Sequence, residues 1–301
     1  MELKNILKQV EVVFPFEKID TLVLNEKYTN NYYGASSIGY KIFHSNSGSV
    51  HMALSQDDTF KEEDYLAQVL IIEKYLNEVS NKVIKVLELG CGKGFNIQYL
   101  ASKFDNIQFI GIDITKEHLK QAIKRNELNK NVSLRFMSFD DFTFEAEQFD
   151  LIFEIEAICH SVNQKKLISS IHNLLKKDGK FIAFEGFRNT FERSISADEN
   201  KLLNYIEKSM AVAKGVEIKE WLEDFNSIFS NVEANDISFK IVPNLKRLNI
   251  LSGKYFSKLS FAKFINLFAS EKLVMNAIAG YLMLYSVENK YHVYYHIEGK
   301  K

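Results

Sequence analysis

The sequence predicts an α/β fold: a doubly wound, mostly parallel, seven-stranded sheet with a helical lid. Three observations carry the prediction. Apolar runs alternate with helical patterns between residues 83 and 185, as parallel βαβ units require. The first run, Val83–Leu89, ends in three alternating glycines, Gly90, Gly92 and Gly94, and a helix pattern follows at once. A second run, Phe109-Ile110-Gly111-Ile112, ends in the acid Asp113.

Residues 1–60 precede the sheet and include a polar, aromatic stretch from Tyr28 to Tyr40. Glu62–Val79 reads as a helix, with Leu66, Val69 and Leu70 at helical spacing. Strand one is Val83–Leu89, and its helix runs from Phe95 to about Lys103. Strand two is Gln108–Ile112, and Thr115 caps a helix reaching about Leu128. Strands three and four are Val132–Met137 and Phe149–Ile155. The next helix buries Leu167, Ile168, Ile171, Leu174 and Leu175 and ends at Asp178-Gly179, before strand five, Lys180–Glu185. Phe191 to about Phe229 reads helical and charged, and Val232–Ile241 reads extended. Within a helix from Leu245 to Phe268, Phe261, Phe264, Ile265 and Phe268 form one apolar face. Tyr291–Ile297 closes the chain as an antiparallel strand. The expected organisation is an N-terminal lid and acceptor segment (1–60), a ligand-binding core (61–189), a helical lid (190–270, with a sheet strand near 232–241) and a C-terminal helix and final strand (271–301).

The chain of 301 residues is 46% hydrophobic, enough for a large core, and its net charge of −1 argues against nucleic acid as a partner. Two cysteines, Cys91 and Cys159, make neither a disulfide framework nor a zinc site, so no metal is expected and a reduced, cytoplasmic setting fits. Met1–Phe16 is interrupted by charges and reads as no signal peptide; Phe261–Tyr285, broken by Lys263, Glu271 and Lys272, reads as no membrane span.

The glycine stretch carries the chemistry. Glycines let the backbone take positive φ and let a ligand approach the main chain, while the helix start offers free N–H groups. Glu88 precedes the turn, where a phosphate would be repelled and an ammonium welcomed. Asp113 follows Gly90 by 23 residues, near the separation at which an acid meets ribose hydroxyls. The spacing is G-x-G-x-G, not the G-x-G-x-x-G of NAD sites. An adenosyl ligand with an amino-acid end, S-adenosyl-L-methionine, satisfies all three features, with S-adenosyl-L-homocysteine as its product. Candidate ligand contacts are Glu88, Gly90, Cys91, Gly92, Gly94, Asn96, Asp113 and Ile114, with Ser138, Phe139 and Asp140 near the adenine, and Glu154. Strand four delivers Glu154, Glu156 and His160 to its carboxyl end. Glu156 and His160 lie one turn apart if the chain turns helical there, making a carboxylate–histidine pair able to orient and deprotonate an acceptor. An acidic helix start with a surface histidine is the plain alternative. His44 and His51 sit in a polar loop that either lines the site or faces solvent, His118 and His172 look like surface residues, and His292 and His296 share one strand face.

On these residues the chain resembles class I S-adenosylmethionine-dependent methyltransferases over about residues 60–187. Ile155-Glu156-Ala157-Ile158-Cys159-His160 is similar to the Ile-Glu-Ala-Thr-Cys-His stretch of the sterol C24-methyltransferase group, departing at Ile158, and Val50-His51-Met52-Ala53 loosely resembles its Phe-His-Phe-Ala. Ser45-Asn46-Ser47-Gly48-Ser49 is polar where that group is rich in Trp and Tyr. The resemblance implies methyl transfer to a small, largely apolar acceptor. C-methylation of a prenyl or sterol-like alkene is favoured, with O- or N-methylation also open. Glu156 and His160 would be the catalytic pair, with Tyr32, Tyr33 and His51 as lid partners. The competing reading is a methyltransferase-fold partner module without turnover. Oligomeric state is not legible.

Overall fold

The computed structural model describes residues 2–39, 44–79, 84–258, 262 and 271–301. Its strands are β1 (Ile84–Leu89), β2 (Ile107–Asp113), β3 (Val132–Phe136), β4 (Phe149–Ile155), β5 (Leu175–Arg188), β6 (Ser230–Asp236) and β7 (His292–Lys300). They form one seven-stranded sheet in the order β3-β2-β1-β4-β5-β7-β6. Pairing is parallel from β3 to β5, and β7 runs antiparallel between β5 and β6. The chain winds outward from β1 to β3 and then resumes beside β1 at β4. The order therefore reverses between β1 and β4, where open α/β sheets bind ligands at the strands' carboxyl ends.

The helices are α1 (Leu3–Val13), α2 (Phe16–Asp20), α3 (Glu26–Gly39), α4 (Ala67–Val79), α5 (Phe95–Ala101), α6 (Lys116–Arg125), α7 (Gln164–Leu174), α8 (Ala197–Ser209), α9 (Ile218–Asn226), α10 (Ser238–Phe256) and α11 (Glu271–Glu288). Alternate strand residues feed two cores. Val86, Phe109, Leu151 and Phe153 face Val69 and Ile72 of α4, Leu100 of α5 and Leu119 of α6. Leu87, Ile110, Ile152 and Phe181 face Leu167 and Ile171 of α7 and Trp221 and Phe225 of α9. The first core continues beyond the sheet into α1, α8, α10 and α11 through Val10, Leu202, Leu245 and Leu282.

The strands fall where the pattern puts them, with four differences. Residues 62–66 form a 3₁₀ turn before α4. Helix α7 ends at Leu174, and Asp178, at φ 63°, turns the chain within β5. The charged stretch 191–229 divides into α8 and α9. The expected strand 232–241 stops at Asp236, because its carboxylate accepts from the Ser238 backbone N–H (2.9 Å) and starts α10. The apolar face of Phe261, Phe264, Ile265 and Phe268 lies outside the described residues. Among the described residues no helix is long and apolar enough to cross a membrane.

Candidate active site

The turn after β1 takes the left-handed backbone at all three glycines, with φ of 64°, 51° and 71° at Gly90, Gly92 and Gly94. Gly90 is also sterically obligatory, since a Cβ there would sit 2.4 Å from the Ala157 methyl; at Gly94 it would strike Ala122 of α6 and Asn126 at that helix's end. The turn is tied to β2. Asp113 accepts from the Gly92 N–H (2.8 Å) with one carboxylate oxygen and from the Thr115 N–H (2.6 Å) with the other. Each oxygen keeps lone-pair capacity for a ligand hydroxyl. Thr115 occupies the N-cap of α6, but its side chain makes no capping bond.

Gly90, Gly92, Asp113, Ile114 and Phe139 line a cavity of about 560 Å³. The same cavity takes in Glu156, Ala157, Cys159 and His160 from the end of β4, Glu185 from β5 and an apolar wall from α10 and α11, including Leu245, Leu248, Tyr255, Ala277 and Met283. Of the remaining expected contacts, Glu88, Cys91, Gly94, Asn96, Ser138, Asp140 and Glu154 are set back from its wall. Glu88 lies buried behind the turn, its Oε1 accepting from Asn96 Nδ2 (2.9 Å) and its Oε2 without a partner. Burial pushes its carboxyl up to about 8. Asp140 braces the segment after His160, accepting from the Ser161 hydroxyl and the Val162 N–H, while the Ser138 hydroxyl accepts from the Asp140 N–H. Glu154 folds the end of β4 by accepting from Ala157 N–H (2.9 Å), which brings Ala157 against Gly90.

Glu156 and His160 do not form the expected pair. Glu156 adopts φ 54°, and only a short 3₁₀ turn, Ile158–His160, follows. The Glu156 carboxylate accepts from the Met52 N–H (2.7 Å) and the Tyr294 hydroxyl (2.8 Å). Burial raises it to about 8. His160 instead meets the Ala211 carbonyl with Nδ1 (3.2 Å) and the Tyr33 hydroxyl with Nε2 (2.8 Å). A carbonyl only accepts, so Nδ1 carries the hydrogen and Nε2 accepts from the phenol. Burial holds this imidazole neutral, lowering it to about 4.

Several site residues escaped the sequence. Glu185 is buried and raised to about 7 by burial, its carboxylate accepting from Gly186 N–H (2.7 Å) and Cys159 N–H (3.0 Å). It ends the predicted fifth strand as Asp113 ends the second, a signal that was available. His118, expected at the surface, is buried and lines the cavity; of the two loop histidines open to either place, His44 lines the cavity and both are buried. Arg188 grips Glu207 of α8 with two bonds, and Glu207 also receives the Gly215 N–H (2.9 Å) and faces His292 (3.3 Å). Burial alone would raise Glu207; His292 and Arg188 bring it down to about 2. Among the described residues no three His, Cys, Asp or Glu side chains converge as metal ligands.

Residues 80–235, just over half of the chain, match the family model described as a methyltransferase domain. The chain belongs to this family. It is similar to the sterol 24-C-methyltransferase of Kluyveromyces lactis (25% identity over 187 residues, 60% of this chain and 50% of the relative) and to the sarcosine/dimethylglycine N-methyltransferase of Aphanothece halophytica (26% over 164 residues, 52% and 57%). The chain thus spans about half the length of the curated relatives it matches. Its fold is that of the cyclopropane synthase MmaA2 from Mycobacterium tuberculosis, at a TM-score of 0.74 and 13% identity over 93% of this chain and 100% of that one. This is the class I methyltransferase fold, whose cofactor is S-adenosylmethionine. The residues fit that cofactor: an open glycine turn, a ribose-type acid with spare lone pairs, and a buried carboxyl whose Oε2 lacks a partner.

Proposed function

We propose that the protein is an S-adenosylmethionine-dependent methyltransferase acting on a small, largely apolar acceptor, with C-methylation of a prenyl or sterol-like alkene favoured. One observation carries the reading: a single cavity joins the glycine turn to an apolar wall and includes a carboxyl, Glu156, and an imidazole, His160. In this reading residues 1–60 and 190–270 cover the acceptor, no nucleic acid is involved, and the two free cysteines suit the cytoplasm.

The bound cofactor supplies an electrophilic methyl group. The chain's residues align the acceptor, exclude water and receive a proton. Methylation of an alkene leaves a carbocation, and the ionised Glu156 carboxylate stabilises positive charge and takes the proton. Its pKa of about 8 sits near working pH, as a general base requires. Met52 N–H and Tyr294 O–H hold it in place. For an O–H or N–H acceptor the alternative base is His160, whose Nε2 accepts from the Tyr33 hydroxyl and would take the acceptor's proton through it.

The test incubates the protein with S-adenosylmethionine and a panel of prenyl and sterol-like alkenes, phenols and amines, and reads the mass gain of one methylene. Glu156→Gln is expected to slow transfer to an alkene about 10²-fold, with S-adenosylhomocysteine affinity held within about threefold. Methylation confined to phenols or amines overturns the alkene assignment. Cofactor binding without any product overturns turnover and leaves the partner-module reading.

A further inference from the structure

One residue of the cavity's lining carries a buried polar atom with no role in the chemistry above. His118, in the first turn of α6, is 2% exposed, lines the cavity and has no hydrogen-bond partner at Nε2. An unpaired buried donor or acceptor is destabilising, so such an atom in a residue of a cavity wall points to a ligand. Its position follows from the helix. Ala122, one turn on, packs against Gly94, so His118 on the same face lies over the glycine turn toward the cavity. Nearby positive charge on Lys93, within that turn, reinforces burial in keeping the ring neutral.

The ring also packs against a second cavity residue. Tyr33 of α3 lies 5.5 Å from the His118 centroid at 58° and 5.5 Å from the His160 centroid at 88°. One phenol is therefore wedged between an imidazole beside the cofactor turn and an imidazole at the acceptor end of β4. The helix that carries it is anchored to α11 at the cavity wall, where Tyr32 O–H donates to Asn276 Oδ1 and Asn276 Nδ2 donates to Ser36 Oγ (3.0 Å).

We propose that His118 is a cofactor-binding residue whose Nε2 hydrogen-bonds a polar atom of the bound cofactor, and that Tyr33 is a positioning residue that passes this contact to His160. Cofactor binding thereby sets the imidazole at the acceptor end. The inference rests on the cofactor assignment and not on the acceptor.

The test uses S-adenosylhomocysteine as the probe, by calorimetry and by ring-¹⁵N spectra of histidine-labelled full chain. His118→Phe keeps a ring against Tyr33 and removes the nitrogens; a loss of about tenfold in affinity is expected, equal to one buried hydrogen bond. His118→Gln, which restores a donor and an acceptor, is expected to recover affinity to within about threefold. In wild type, ligand is expected to move both the His118 and the His160 ring signals. In Tyr33→Ala the His118 signal still moves and the His160 signal does not. Thermal melts report folding, and if His118→Phe fails to fold, the wild-type spectra and the Gln variant carry the test. Wild type that binds ligand while His118 stays silent overturns this inference alone. Wild type that binds no ligand overturns it together with the cofactor assignment.

Discussion

The glycine-turn edge of the sheet and the helices that cover it are built on different principles. At the edge, each feature sits at a strand end: a positive φ, an acid that ties its own and the neighbouring turn by backbone bonds, a carboxyl that folds its own strand end. In the cover, the groups that matter come from distant segments. Arg188 meets Glu207 and His292, Tyr33 meets His118 and His160, and Met52 and Tyr294 meet Glu156. Substitution at the edge should therefore act by strain, and in the cover by stranding a buried charge or donor.

The largest effect tests the cover. Glu207→Ala leaves the Arg188 guanidinium, largely buried, without its carboxylate and strips the Gly215 N–H of its acceptor. Breaking one side of a buried pair costs about 3–5 kcal/mol, expected here as a lowered urea midpoint at unchanged slope. A loss under 1 kcal/mol would mean that α8 is not tied to the sheet by this contact, and the contrast between the two regions would fail.

The edge is tested by two glycines that differ in one respect. Gly90→Ala adds both left-handed strain and a methyl 2.4 Å from Ala157; Gly92→Ala adds the strain, with its nearest atom, in Val50, at 3.5 Å. Left-handed backbone costs an alanine about 1–2 kcal/mol, and overpacking a further 1–3 kcal/mol. Gly90→Ala is thus expected to destabilise by roughly 2–5 kcal/mol and Gly92→Ala by roughly 1–2 kcal/mol, read in the same denaturation experiment. Equal losses would show that the Ala157 contact relaxes freely.

The same division decides what could be read from the chain. The bounds of β4, the glycine turn and Asp113 are written in adjacent residues, and the structure repeats them nearly residue for residue. The strand expected at 232–241 is present but ends at Asp236, because the helix start at Asp236-Ile237-Ser238 depends on one side-chain bond that apolar spacing does not show. His118 reads as a surface residue because His118, Leu119 and Ala122 form an apolar face only once α6 is laid on the glycine turn. Glu207 looks like any acid on an amphipathic helix until Arg188 and His292 arrive from β5 and β7. The pairing of Glu156 with His160 assumed a helix that the left-handed Glu156 backbone does not allow.

The smallest effect runs across both regions and is a matter of pH. Burial raises Glu88 and Glu156 to about 8 and Glu185 to about 7. Folding therefore binds protons to these acids between their unfolded value, about 4.3, and those folded values. Stability from this source is complete below the unfolded value and is lost as pH rises through the folded ones. Burial lowers His44, His51 and His160 to about 4 and His118 to about 3, so the histidines act oppositely, between those values and their unfolded value near 6.5. Below pH 6.5 the two sets oppose each other, and from pH 6.5 to 8 only the acids titrate. Cofactor-free protein is expected to lose about 1–3 kcal/mol over that window, with the loss blunted in Glu156→Gln. Internal water and side-chain relaxation soften the burial of these acids and limit the loss. Stability that stays level or climbs between pH 6.5 and 8 would mean the acids at the strand ends are solvated, and the edge would then owe its form to the glycine turn alone.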